Sequence, residues 1–155
     1  RGDRQALYLA HQRPQPRLDV VDAIAQLRKS SAMRKASAVR VSGMDSSDGL
    51  ADAVLQICRA SQVGAVLDRS AIPMAPQVLK WRSPPQAMAW ALYGGEDFEL
   101  VLCCEAAIAR AIMQCLDSQA YVIGRITQEN DVVLSDPSGT LGDEILEFEH
   151  GFQHF

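Results

Sequence analysis

No stretch of the chain approaches the ~18 to 20 uninterrupted apolar residues that a bilayer crossing requires, so a membrane-spanning helix is not expected. The N-terminal residues also lack the apolar core and small-residue cleavage site of a secretory leader. The four cysteines, Cys58, Cys103, Cys104 and Cys115, show neither C-x-x-C spacing nor the density of a secreted disulfide scaffold. Each stands in apolar sequence, which predicts reduced core residues and a soluble chain in the cytoplasm. A P-loop and a Ser-His-Asp arrangement are absent as well. The chain opens on Arg1, Gly2 and Asp3 rather than an initiator Met, which reads as a fragment.

What is present suits one ordinary domain. A chain of 155 residues, 48% hydrophobic and 22% charged, matches average globular usage and can bury a proper core without metals or disulfides. The net charge of −4 hides an asymmetry, because residues 1–40 hold nine Lys or Arg against three acids. These basic residues are scattered at helical spacing without interleaved aromatics, so the pattern predicts a solvated helix face rather than a nucleic-acid arm.

Prolines at 14 and 16 make residues 13–17 extended, since proline has no N–H and restricts its predecessor. From 19 to about 36, Val20, Val21, Ile24, Leu27 and Met33 recur at roughly helical spacing. Val39 and Val41 suggest a short strand. Leu50, Ala53, Val54, Ile57 and Cys58 then fall at i, i+3, i+4, i+7 and i+8, predicting a helix over 49–61 with Gly64 shortly beyond. Further strands are predicted over 65–68, 98–104, 121–126 and 132–134, and helices over 77–81, 85–92 and 105–116. Strands and helices alternate without a repeat, which gives an α/β or α+β class with a sheet covered by helices.

Two acidic constellations could carry chemistry. Asp45, Ser46, Ser47, Asp48 and Gly49 lie at a strand-to-helix junction, where hard carboxylate and hydroxyl oxygens suit Mg²⁺ and free helix N–H groups suit a phosphate. An EF-hand does not fit, because the sixth position from Asp45 is Leu50 and the twelfth is Gln56. Two roles remain open for Asp48: ligand, or simple cap of the helix that follows. Asp45 favours the ligand, since a second acid ahead of a cap repels the first. The other constellation, Gly94, Gly95, Glu96, Asp97, Phe98 and Glu99, lies between helix and strand. Its paired glycines permit close backbone approach to a ligand, or an ordinary turn with solvated acids.

The stretches GMDSSDGLADAVLQIC and ALYGGEDFEL, with the connector RPQPR and the terminal GFQHF in this order, resemble the C-terminal domain of the bacterial thiamine-monophosphate kinases. That family belongs to the ATP-binding superfamily of aminoimidazole ribonucleotide synthetase. The resemblance implies a layered α/β/α domain with a mixed sheet over 19–155, and a connector over 1–18 from a missing N-terminal domain. It implies Mg²⁺ ligation by Asp45 and Asp48, nucleotide contact by Ser47, and substrate binding by Glu96 and Phe152. His150 and His154 are left as surface or packing residues. The implied reaction passes the γ-phosphoryl of ATP to thiamine monophosphate with Mg²⁺ assistance, in a homodimer built through the missing domain, with no nucleic-acid or membrane partner. The isolated fragment is expected to be inactive. Selenophosphate synthetase and aminoimidazole ribonucleotide synthetase are rivals within the superfamily, against which the GGED segment and terminal aromatic argue. A noncatalytic Mg²⁺ or nucleotide-binding module is the rival of another class.

Overall fold

The computed structural model describes residues 2–29, 39–95, 98–116 and 120–148. In chain order these give α1 (Gly2–Gln12), α2 (Leu18–Lys29), β1 (Val41–Asp45), α3 (Leu50–Ser61), β2 (Gly64–Asp68), α4 (Pro76–Leu79) and α5 (Pro84–Tyr93). β3 (Leu100–Cys104), α6 (Ala106–Cys115), β4 (Gly124–Thr127), β5 (Val132–Ser135) and β6 (Glu144–Ile145) follow. The mixed α/β class read from the sequence is what forms.

Local chemistry accounts for several boundaries. Pro84 opens α5 at the position where its missing N–H costs least, and Gln86 Oε1 accepts from the Ser83 N–H at 3.4 Å and from Ser83 Oγ at 3.2 Å. α3 ends at Gln62, not at the glycine two residues on: Gln62 takes the left-handed conformation and its N–H reaches the carbonyls of Arg59 and Cys58.

The strands form two separate sets. β4-β2-β5-β6 make a mixed sheet in which β2 runs parallel to β5 and antiparallel to β4. β1 and β3 make an antiparallel pair with Val41 opposite Cys104 and Asp45 opposite Leu100. Side-chain alternation then assigns the faces of the pair. Val101 packs on a core built from α3, α5, β2 and β5, where Cys58 and Leu134 are fully enclosed. Leu102 and Cys104 face a second core, in which Val20 and Ala23 of α2 meet Ile108 and Ile112 of α6. The β1–β3 pair is thus the layer between two helical sets, and the ends of its strands carry both acidic motifs.

Three expectations change. Residues 2–12 form a helix within the stretch expected to be a connector, and Arg4 lies 5.3 Å from the Trp81 ring centroid. The strand predicted from Phe98 begins only at Leu100, because Phe98 takes a positive φ of 52°. Cys58 is buried, but Cys115 is exposed at the end of α6 and is no core residue. All four cysteines are free thiols, and burial pushes the Cys58, Cys103 and Cys104 thiols up.

Candidate functional site

The strand pair brings the two motifs together. Asp45 ends β1 opposite Leu100, the first residue of β3, so the turn after one strand lies beside the segment before the other. Backbone chemistry fixes this contact. The Ser46 N–H donates to the Glu99 carbonyl at 2.9 Å, and Ser46 Oγ donates to the same oxygen at 3.3 Å. Ser46 is 5% exposed, so both bonds are sheltered from water. The Gly49 N–H closes the turn onto the Ser46 carbonyl at 3.0 Å.

Glycine is required at two points of this junction. Gly49 has φ +109°, and a Cβ there would stand 2.8 Å from the Leu92 carbonyl oxygen. A Cβ on Gly95 would stand 2.7 Å from the Ser47 carbonyl oxygen. Gly95, the second of the paired glycines, therefore lets one motif approach the other, a use of backbone closeness that the sequence did not reveal.

The acids are placed as follows. Asp45 is exposed at the strand end, and Asp48 is half-buried in the turn. The N-cap of α3 is Gly49, so Asp48 does not occupy the capping position that its sequence allowed. Asp52, in the first turn of α3, is a neighbour the sequence reading missed. Burial pushes its carboxyl above the usual range, a bond from Gln56 opposes this, and the charge of Asp48 adds to it. Its signal was the i, i+4 spacing from Asp48. Glu96 and Phe152, together with His150 and His154, lie outside the described residues.

Phe98 is the other residue not foreseen. Its left-handed backbone is unusual for an aromatic, and the residue is 42% exposed. Strain of this kind, of order 1 to 3 kcal/mol, persists where surrounding structure imposes it, often at functional sites. A cleft of about 870 Å³ opens beside the junction. Arg17, Ser46 and Glu99 line it with the apolar length of β3 and residues 121–126.

The donor set fits Mg²⁺ in kind. Asp45, Asp48 and the serine hydroxyls are hard oxygens, and Mg²⁺ commonly takes one or two carboxylates while keeping waters and substrate phosphates. Among the described residues, no three His, Cys, Asp or Glu gather into a metal cage.

Fold and site together define an α/β domain in which an acidic strand-to-helix turn lies against the segment that leads into β3. Residues 9–137 match the family described as AIR synthase related protein, C-terminal domain, and the chain belongs to that family. It is 49% identical to thiamine-monophosphate kinase of Synechococcus elongatus over 98% of this chain and 43% of that protein. The crystal structure of thiamine-monophosphate kinase from Stenotrophomonas maltophilia superposes with a TM-score of 0.68 at 26% identity, over 86% of this chain and 40% of that one. AaThiL, solved in complex with AMPPCP and TMP, shares the fold with a TM-score of 0.65 at 20% identity, over 94% of this chain and 42% of that one. The chain thus spans less than half the length of these relatives.

Proposed function

We propose that this chain is the C-terminal domain of a thiamine-monophosphate kinase, over residues 19–155 with 1–18 leading in from another domain. The observation that carries the reading is the 49% identity over nearly the whole chain to a thiamine-monophosphate kinase. The junction of the two motifs supports it, because the Ser46 N–H donates to the Glu99 carbonyl and Gly95 lies against the Ser47 carbonyl.

In this reading the γ-phosphoryl of ATP passes to the phosphate of thiamine monophosphate, giving thiamine diphosphate and ADP. Such transfers ask the protein for positioning and charge neutralisation rather than covalent chemistry. Asp45 and Asp48 hold Mg²⁺, which neutralises phosphate charge when bound. Ser47 contacts the nucleotide, and the first turn of α3 offers N–H groups to a phosphate. Glu96 binds the thiamine substrate, and Phe152 stacks on its flat heterocycle, an arrangement worth about 1 to 3 kcal/mol by analogy with base stacking. The working enzyme is a cytoplasmic homodimer joined through the domain outside this chain. Among the described residues, no helix is long and apolar enough to cross a membrane.

The isolated chain is expected not to turn over ATP. Thiamine diphosphate formation by the purified 155-residue chain, above that of an Asp45→Ala control, would refute this. Calorimetry with thiamine monophosphate and Mg²⁺ tests the substrate assignment: Phe152→Ala is expected to weaken binding about tenfold or more. An unchanged affinity in Phe152→Ala contradicts it.

A further inference from the structure

Arg17 stands at the end of the Pro-rich stretch, where no role was read from its sequence. Its guanidinium is forked between two carboxylates. Nε and one terminal nitrogen donate to Asp19 at 3.1 and 3.0 Å, and the other terminal nitrogen donates to Glu99 Oε2 at 2.7 Å. The Asp19 bond, with that of Glu99 behind it, raises the guanidinium pKa beyond its already high value. The Arg17 side chain is only 15% exposed, less than an ordinary surface pair, although Glu99 is largely open.

The long-range half of this fork matters most. Asp19 is two residues away, whereas Glu99 is 82 residues away and directly precedes β3. Glu99 is also the residue whose carbonyl accepts both bonds from Ser46. One residue therefore ties Arg17 through its side chain and the Asp45–Asp48 turn through its backbone. The prolines at 14 and 16 restrict the approach, and the N–H groups of Leu18 and Val20 donate to the carbonyls of Pro16 and Arg17 at the start of α2. Arg17 thus leaves a stiff segment rather than a loose arm, and its planar fork matches two carboxylates in a way lysine cannot.

We infer that Arg17 is a positioning residue: it holds Glu99, and through the Glu99 carbonyl it sets the turn that presents Asp45, Ser47 and Asp48. The ligand side of this inference rests on the proposed function, whereas the mechanical side does not. Arg17 touches neither substrate nor metal in this scheme. It acts through Glu99.

Amide hydrogen exchange by NMR on the 155-residue chain tests the mechanical side, with a Mg²⁺ titration on the same samples. Arg17→Gln is expected to speed exchange of the Ser46 amide about threefold to tenfold, while Leu55 in α3 and Leu67 in β2 keep their protection. Glu99→Gln, an exposed and fold-neutral change, is expected to do the same, and the double variant to exchange no faster than either single. Arg17→Lys is expected to recover part of the protection, and Asp19→Asn to have the smaller effect. In the titration, the Mg²⁺-induced shifts of the Ser47 and Asp48 amides in Arg17→Gln are expected to need about threefold more Mg²⁺. Unchanged Ser46 exchange in Arg17→Gln and Glu99→Gln overturns the inference, as does equal acceleration at Ser46, Leu55 and Leu67. Absence of any Mg²⁺ response in the wild-type chain counts against the metal assignment instead, and the exchange arm still decides the role of Arg17.

Discussion

Two turns in this molecule are built from similar residues and are held in different ways. In the loop 136–141 the Asp136 carboxylate serves its own loop, accepting from the N–H of Ser138 at 3.0 Å, the N–H of Leu141 at 2.8 Å and the Ser138 hydroxyl at 2.7 Å. Gly139 there has φ +69°, and nothing stands within 4 Å of the position a Cβ would take. The turn 45–49 also holds acids, serines and a positive-φ glycine. Its backbone is held by Glu99 from across the strand pair, and its glycine is pressed against the carbonyl of Leu92. An acidic turn becomes a candidate site when distant chain fixes its backbone. Composition alone does not separate the two.

Substitution at the two glycines should break the likeness most clearly. Gly49→Ala combines a disfavoured backbone with a backbone clash and is expected to cost about 3 kcal/mol, measured by urea denaturation. Gly139→Ala meets no neighbour and is expected to cost about 1 kcal/mol, the strain alone. Equal costs would remove the contrast. Ser46→Ala ranks between or near these, since it deletes a sheltered hydroxyl but leaves the Ser46 N–H bond to Glu99, with an expected loss of about 1 kcal/mol in the same assay.

The smallest effect concerns pH. The Leu141 N–H, and then Ser138, hold the Asp136 carboxyl below its ordinary value. A depressed folded-state pKa adds stability above the unfolded value near 3.8, and that stability is lost as the pH falls through the folded value. Asp136→Asn is therefore expected to be slightly less stable than the wild type at neutral pH and to converge with it under more acidic conditions. A constant difference from pH 7 to pH 2 would show that the charge is not the cause.

Much of this was legible along the chain, and the remainder was hidden for a physical reason. The apolar rhythm of α3 is a local signal that the structure contains, and the short strand read from Val39 and Val41 forms only from Val41, running through Gly43 to Asp45. Asp45 and Asp48 could be singled out because a second acid just ahead of a possible cap repels the first, and their role as ligands is part of the proposal. The pairing of Asp45 with Leu100 and the fork from Arg17 to Glu99 depend on contacts between residues far apart in sequence, which no periodicity records. Helix α1 escaped because its apolar residues Tyr8 and Leu9 are exposed and form no core stripe. Phe98 escaped because strain at one residue comes from what surrounds it rather than from its type. The exposure of Cys115 has the same origin: apolar neighbours in sequence did not become neighbours in space.

The central proposal is that the turn 45–49 and the glycine-acid motif before β3 form one ligand site. Titrating thiamine monophosphate with Mg²⁺ into the chain, and following every backbone amide by NMR, tests it most directly. The account predicts shifts concentrated at residues 45–50 and 94–99, with the Asp136 loop unmoved. Shifts as large in residues 136–141 as at the junction, or none at the junction at saturating ligand, would contradict it.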